Sequence, residues 1–478
     1  MSEPNILIVA AEGVPFAKTG GLADVVGSLP KELVKLGAKV GVMLPKHRVI
    51  KENYQDKLTL IASMYIKMGW RNQYIGVETL EMNGIHYYFI DNEFYFGGPI
   101  YKGGEAEAEQ YMYFCRAVLE ALPYIDFKPD IIHANDWHTA MIPMLIKMQY
   151  QDKEQGNIKT VFTIHNLQYQ GQMSFGLVAD MLGIATEYYI SDYIEAYGCA
   201  NMMKAALVFA DKITTVSPTY AKEVLNSFYG RGMEGVLYMR KDDLSGILNG
   251  FDTDEFNPKT DKKIKYKFSK DDLSGKQKDK IALMDEFNIT LGSDAPIICM
   301  VTRMTEQKGL DLVCAVLEEL LQENVAFIVL GSGDHEYENY FNYIASNYPG
   351  KAGVYIGYND ALAHRIYAGS DFLLMPSLFE PCGLTQMIAQ AYGVLPIVRE
   401  TGGLVDSVTP YNKFTKEGDG FSFANYNAHD MLNVIRLAMS VYESKDELRL
   451  LINNAFSRDN SFAQPAKEYK KLYESLID

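Results

Sequence analysis

Lys18 stands just before a glycine pair, Gly20 and Gly21, in the stretch KTGGL. These glycines can take positive φ and leave backbone N–H groups open, and the following helix offers its positive end. With Lys18 as a mobile point charge the loop is an anion cradle suited to a diphosphate, or else a tight turn with a surface lysine. It is not the P-loop pattern, because the lysine precedes the glycines and GK[ST] is absent. In VTRMTEQKGLDL, Arg303 and Lys308 flank a strand-to-helix turn. They either converge on one phosphate or stand as exposed loop charges. In SLFEPCGLTQMIAQAYG, Pro381 breaks what precedes and Gly383 allows close backbone approach. The N–H groups from Cys382 and Gly383 through Leu384 to Thr385 then open a helix toward a ligand. Glu380 beside them holds sugar hydroxyls, opposes a developing positive charge, or is an ordinary first-turn acid. Cys382 reads as a small residue in a tight space, with no histidine near it in sequence.

Two further stretches, HANDWHTAM and TIHNLQYQG, sit at strand ends. Asp136, Trp137 and His165 there offer an acid, an aromatic plate and an imidazole, a combination suited to a sugar. His133, His138 and His165 are alternatively zinc ligands, although they lie on separate loops without the i, i+4 helical pair. Asn249 in LNGFD is a ligand group or a turn residue. LGSGD, ending at Asp334, is a glycine turn too short to be a dinucleotide fingerprint by itself.

The elements that must position these residues are short apolar runs, each followed by a turn and a helical spacing. They are Ile6 to Ala11, AKVGVML, IHYYFID, DIIHAND, TVFTIHN and KITTVS, and after residue 280 IICMVT, VAFIVLGSGD, GVYIG, DFLLMPS and VLPIV. Such runs predict mainly parallel sheets covered on both faces, in two α/β halves joined near residues 250–260. The charged run KTDKKIKYKFSKDDLSGKQKDK between the halves reads as a solvated connector or helix face. The tail Ala466 to Asp478 is helical in pattern and either closes the second half or crosses back to the first. TGGL recurs, at Thr19–Leu22 and Thr401–Leu404, followed in each case by an acid, Asp24 and Asp406. Two similar doubly wound halves with Gly-rich loops at the carboxyl ends of their strands are expected, and ligands bind at such ends.

The chain has 478 residues and a net charge of -16, which disfavours nucleic-acid backbones and anionic membranes as partners. Its 5 scattered cysteines suggest neither a disulfide framework nor a zinc site. MSEPNILIVAAEG lacks a basic n-region, and no apolar stretch approaches the ~20 residues of a membrane helix. A soluble, cytoplasmic protein is expected.

KTGGLADV, HxxDWH, HNLQYQG, LNGFD, RMTEQKGLDL, LGSGD, IGYNDALAHRI, FEPCGLTQ and TGGLVDSV stand in the order seen in bacterial glycogen synthases and plant starch synthases. The resemblance runs from the first strand to about residue 410. It implies the GT-B fold: two Rossmann-like doubly wound domains, 1–250 and 251–459, facing a deep interdomain cleft, with a helix near 460–478 returning to the first. It also implies retaining transfer of glucose from ADP-glucose to the non-reducing end of an α-1,4-glucan, glycogen or a maltooligosaccharide primer. By the same resemblance Lys18, Arg303 and Lys308 match the donor-phosphate cations, and Gly20 and Gly21 match the loop approaching the donor. Glu380, with the backbone at Cys382 and Gly383, matches the glucose-binding loop, and Leu384 and Thr385 match the helix start on the diphosphate side. His165 and Asn249 match groups around the glucose 6-hydroxyl, and Gly357 and Tyr358 the segment against the nucleotide. Asp24, Tyr95, Asp136 and Trp137 match the acceptor side. No cofactor and no metal are expected.

Two positions depart from wider patterns. Where many retaining relatives carry a second Glu eight residues after the first, this chain has Ile388, as bacterial glycogen synthases do. HANDWH carries Asn135 where His is more usual. Competing expectations are a catalytically silent glucan-binding scaffold, which predicts loss of the cation set, and the same transfer from UDP-glucose. An α-glucan phosphorylase would need a pyridoxal-phosphate lysine and a far longer chain. Attack by the acceptor on the face that the diphosphate leaves, guided by the His165 backbone carbonyl, and a covalent intermediate on Glu380 both remain open.

Overall fold

The computed structural model describes residues 3–477. The chain divides into two compact units, one of Met1–Asn249 with Phe462–Asp478 and the other of Gly250–Ser461. No helix among the described residues is long and apolar enough to cross a membrane.

The first unit is built on β1 (Asn5–Val9), β2 (Lys39–Pro45), β3 (Thr59–Met68), β4 (Arg71–Met82), β5 (Ile85–Asp91), β6 (Ile131–Asn135) and β7 (Lys159–Ile164). β8 (Gln172–Met173), β9 (Glu195–Ala196) and β10 (Cys199–Asn201) form a small separate sheet, and β11 (Lys212–Thr215) and β12 (Leu244–Gly246) return to the main one. The main sheet runs β12-β11-β7-β6-β1-β2-β5-β4-β3. Its strands from β12 to β5 pair in parallel, and β5, β4 and β3 pair antiparallel. Ile6, Leu7, Ile8 and Val9 of β1 are all buried, as expected of a strand covered on both faces. The sheet is mainly parallel, as expected, with an antiparallel edge at β5, β4 and β3. In β3 exposed and covered residues alternate toward the C-terminal end, so it never forms a continuous apolar run.

The helix Ala463–Ile477 belongs to this unit and buries Pro465, Ala466, Tyr469 and Tyr473. It packs on the helix Gly21–Lys35. Lys470 Nζ donates to the Leu36 carbonyl at 3.0 Å, and the Tyr473 hydroxyl lies 2.8 Å from His133 Nδ1 on β6.

The second unit holds β13 (Ile297–Val301), β14 (Ala326–Gly331), β15 (Ala352–Ile356), β16 (Phe372–Met375), β17 (Leu395–Arg399) and β18 (Phe421–Phe423), in the order β15-β14-β13-β16-β17-β18. Every pairing is parallel, so all the loops that leave the strands gather at one edge. The charged run before β13 is not the solvated connector that its composition suggests. Asp261, Lys276, Asp279 and Lys280 in it are buried. Lys280 Nζ donates to Asp371 and to the Tyr442 hydroxyl, each at 2.7 Å, and Lys276 Nζ donates to the Ala368 carbonyl at 3.1 Å. Asp261 accepts from His364 Nδ1 at 2.7 Å and from the Tyr392 hydroxyl. Charges go inside only where such partners replace water, and these partners are distant in sequence.

The contact between Tyr473 and His133 gives a direct test of how the last helix is held. Tyr473→Phe should destabilise the first unit by about 1 kcal/mol, the worth of one hydrogen bond. Tyr473→Ala should cost about 3–5 kcal/mol, since it leaves a cavity as well. Urea unfolding of both variants reads this; no loss in Tyr473→Phe beside the full loss in Tyr473→Ala would assign the contact to packing alone.

Candidate active site

In the second unit the loops after β13 and β16 are drawn into contact. Lys308 ends a short 3-10 turn, and Gly309 follows at φ 68°. A Cβ on Gly309 would lie 2.1 Å from the Pro376 carbonyl oxygen, so only glycine lets the two loops close on each other. Across that contact Lys308 Nζ lies 2.6 Å from Glu380 Oε2. The same oxygen accepts from the Ser377 hydroxyl at 3.0 Å. Glu380 is 5% exposed, so the pair is largely out of water. Glu380 Oε1 makes no hydrogen bond among the described residues and is available to a ligand. Gln307 ties the loops again, donating from Nε2 to the Phe379 carbonyl at 3.3 Å while its own carbonyl accepts the Leu378 N–H at 2.9 Å.

Arg303 is exposed on the same loop as Lys308. The glycine turn after β14 is what supports it. A Cβ on Gly331 would meet the Thr302 carbonyl oxygen at 1.8 Å, and one on Gly333 the Met304 carbonyl oxygen at 2.3 Å. LGSGD is therefore a seat for the Arg303 backbone. The second TGGL has a similar duty. Gly403 donates its N–H to the Glu380 carbonyl at 3.1 Å, and a Cβ there would lie 2.2 Å from the Cys382 carbonyl oxygen. Gly383 takes φ 74°, which turns the chain into the helix Thr385–Ala391 directly after Leu384. The first N–H groups of that helix have no intrahelical acceptor. Ile388 is buried in it and offers no second carboxylate. After β15, Gly357 at φ 140° precedes Tyr358, whose side chain stands 81% exposed.

In the first unit Glu12 organises the loop after β1. Its carboxylate accepts from both the N–H and the hydroxyl of Thr19, and burial pushes its pKa up. This hold draws the chain out straight, with Gly20 at φ -152°, and neither Gly20 nor Gly21 takes positive φ. The expected left-handed glycines are thus replaced by an extended entry into the helix Gly21–Lys35. Lys18 and Asp24, expected to serve different ligands, lie 2.7 Å apart.

Asp136 sits at φ 57°, ψ 175°, a region that residues other than glycine enter at a cost of about 1–3 kcal/mol. Its N–H donates to the Thr163 carbonyl at 2.9 Å, and its carboxylate accepts the His165 N–H at 2.8 Å. Burial raises its pKa to about 7 against the lowering effect of the His165 and Asn166 N–H groups. His165 Nε2 lies 2.9 Å from Asn135 Oδ1, and burial lowers its pKa to about 3. Trp137 is buried beneath Gly171, whose Cβ would strike the indole at 2.4 Å. Asn249 is buried, with an Oδ1 that finds no donor among the described residues, as expected of a group awaiting a ligand hydroxyl.

Some expectations are not met by the geometry. Tyr95 is closed to solvent, stacked on Tyr113 at 4.3 Å with its hydroxyl donating to Glu109; its neighbour Phe94 is the exposed ring. The three histidines do not converge: His133 is held by Tyr473 and Thr163, His138 faces Glu107, and His165 faces Asn135. Glu255, Asp360 and His364 do come close enough to share an ion, but Lys263 Nζ lies 2.6 Å from Asp360, 3.1 Å from Glu255 and 3.1 Å from His364 Nε2. Sequence reading missed Glu12, Ser377, Gln307 and Gly403. Ser377, three residues before Glu380 at a strand end, carried the one usable signal.

Residues 5–239 match the family described as starch synthase catalytic domain, and residues 285–457 match glycosyl transferases group 1. The chain is 50% identical over 474 residues to the glycogen synthase of Geobacillus thermodenitrificans (strain NG80-2), covering 99% of this chain and 98% of that one. It is 49% identical over 475 residues to the glycogen synthase of Bacillus cereus (strain Q1), covering 99% and 100%. Among solved structures, the catalytic domain of starch synthase IV from Arabidopsis thaliana, bound to ADP and acarbose, superposes with TM-score 0.91 at 32% identity over 99% of each chain. A sucrose-phosphate synthase from Thermosynechococcus elongatus, 17% identical over 99% of each chain with TM-score 0.63, shares the fold.

The seat of the Glu380 loop on Gly403 can be tested without a substrate. Gly403→Ala overpacks the contact by about 1–3 kcal/mol. That raises the opened population of the loop on the order of tenfold or more. Alkylation of the buried Cys382 thiol, followed by peptide mass spectrometry, should accelerate accordingly. An unchanged rate would mean that the loop does not rest on Gly403.

Proposed function

The chain belongs to the family of bacterial glycogen synthases and plant starch synthases, glycosyltransferases of the GT-B fold, and on that premise we propose that it transfers glucose from ADP-glucose to the non-reducing end of an α-1,4-glucan, with retention of configuration and release of ADP. The observation that carries this reading is the buried Lys308–Glu380 pair, with Glu380 Oε1 left without a partner among the described residues. A pair so placed has one group for the leaving phosphate and one for the sugar.

The reaction breaks the anomeric C–O bond to the diphosphate through an oxocarbenium-like state. Negative charge grows on the leaving oxygen, and Arg303, Lys308 and the helix start at Thr385 are assigned to stabilise it, with Lys18 as the cation of the first unit. Glu380 Oε1 is assigned to sugar hydroxyls, and the backbone of Cys382 and Gly383 to the same glucose. His165 and Asn249 are assigned to its 6-hydroxyl; the orphaned Asn249 Oδ1 supports this. Gly357 and the exposed Tyr358 are assigned to the nucleotide. Asp24, Asp136 and Trp137 are assigned to the acceptor, and the closed Tyr95 is not.

We favour attack by the acceptor hydroxyl on the face that ADP leaves. Glu380 Oε2 is occupied by an ammonium and a hydroxyl, which lowers its value as a nucleophile. The experiment that tests the function incubates the protein with ADP-glucose or UDP-glucose and glycogen and measures the nucleotide released. ADP release is expected; none from either donor would end the reading. Within that assay Glu380→Ala should lower turnover by roughly 10²–10³, the worth of a ~3–4 kcal/mol transition-state contact. A folded variant within about threefold of wild type would remove Glu380 from the mechanism.

Metal independence is part of the same proposal, since lysine and arginine are assigned to the phosphates. Turnover should therefore survive excess chelator. Loss on chelation with recovery on adding Mg²⁺ or Mn²⁺ would contradict it.

A further inference from the structure

We propose that Asn135 is a positioning residue that locks the His165 imidazole in its Nε2–H tautomer, so that Nδ1 is presented as a standing hydrogen-bond acceptor. Asn135 is the last residue of β6 and is fully buried. Its Nδ2 donates to the Val9 carbonyl at 3.2 Å and to the His133 carbonyl at 3.1 Å. Both are oxygens that only accept, so a reversed amide would face Oδ1 against two carbonyls. The orientation of the amide is thereby fixed, and Oδ1 is the atom 2.9 Å from His165 Nε2. An amide oxygen cannot donate, so the hydrogen of this contact belongs to Nε2.

His165 is neutral through the working range of pH, because burial takes its pKa down to about 3. A neutral imidazole has one N–H, and with that hydrogen on Nε2 the lone pair is on Nδ1. Nδ1 makes no hydrogen bond among the described residues, and the residue keeps a partly exposed surface. Asp136, next along the chain, holds the His165 backbone through its N–H at 2.8 Å. Consecutive residues at the end of β6 thus fix the ring and the main chain of one histidine. The titratable groups around it are Asp136, on its backbone side, and His133, whose pKa burial also lowers to about 3. A ring locked in this way accepts a hydroxyl proton and rejects an acceptor at the same place. Only the identity of that hydroxyl, on the transferred glucose, rests on the function proposed above; the tautomer does not.

The test is long-range ¹⁵N–¹H correlation NMR on the full chain labelled at histidine, with His165→Gln used to assign the signal. The expected pattern is a protonated Nε2 with a bare Nδ1, unchanged between about pH 8 and 5.5. A hydrogen on Nδ1, a mixture of tautomers, or an imidazolium in that range overturns the proposal. Asn135→Asp adds a second readout by placing a charge against Nε2, which raises the His165 pKa and protonates Nδ1 in mild acid. An acid limb absent from wild type should then appear in kcat/KM, falling on the order of tenfold per pH unit. Asp136 titrates in both proteins, so the comparison cancels it; identical profiles would count against control by residue 135. If the variant fails to fold, the wild-type spectrum still decides. The locked tautomer in a protein that releases no nucleotide would sink the proposed function alone, and an active enzyme with the other tautomer would sink this inference alone.

Discussion

An ammonium and a carboxylate 2.6 Å apart and mostly out of water set the terms for the second unit. Desolvating two charges is costly, and their attraction offsets that cost only when the geometry is good and further hydrogen bonds complete it. Lys308 and Glu380 are 72 residues apart in sequence, on loops that leave different strands. The parallel sheet brings those loops to one edge, and Gly309 against Pro376 brings them into contact. Ser377 then bonds the carboxylate, while Gln307 and Gly403 hold the backbone of its loop. Removing either charge leaves the other buried without its partner, so the loops, the sheet edge and the pair stand together.

The first unit obeys the same rule with different groups. Glu12 and Asn135 are buried and Asp136 is half-buried at the ends of β1 and β6, and each uses its side chain to hold backbone or ring. The strained conformation at Asp136 persists because its N–H, carbonyl and carboxylate are all engaged. Such strain at a strand end is expected where the placement of a neighbouring group matters more than local comfort.

How much of this was legible follows from where the partners lie. The parallel strands were readable because burial on both faces leaves continuous apolar runs such as IICMV and FLLM. The hairpin of β3 and β4 was not, because its face toward solvent interrupts the run. The cations, the acid and the helix start of the candidate site were readable from residue type and order. Their pairing was not: nothing local says that Lys18 meets Asp24, that Tyr95 stacks inward on Tyr113, or that Lys280 finds Asp371. The glycines were found but partly misread. Gly331 and Gly403 serve by lacking a side chain against a neighbouring carbonyl, which depends on contacts made only in the fold.

The central claim is that Lys308 and Glu380 act as one unit in glucosyl transfer. A double-mutant cycle on kcat/KM with Lys308→Met, Glu380→Gln and the two together measures this most directly. The account predicts that the double variant is little worse than the poorer single one, with a coupling energy of about 1.5–3 kcal/mol. Effects that add to within about 0.5 kcal/mol would show two independent residues and contradict it.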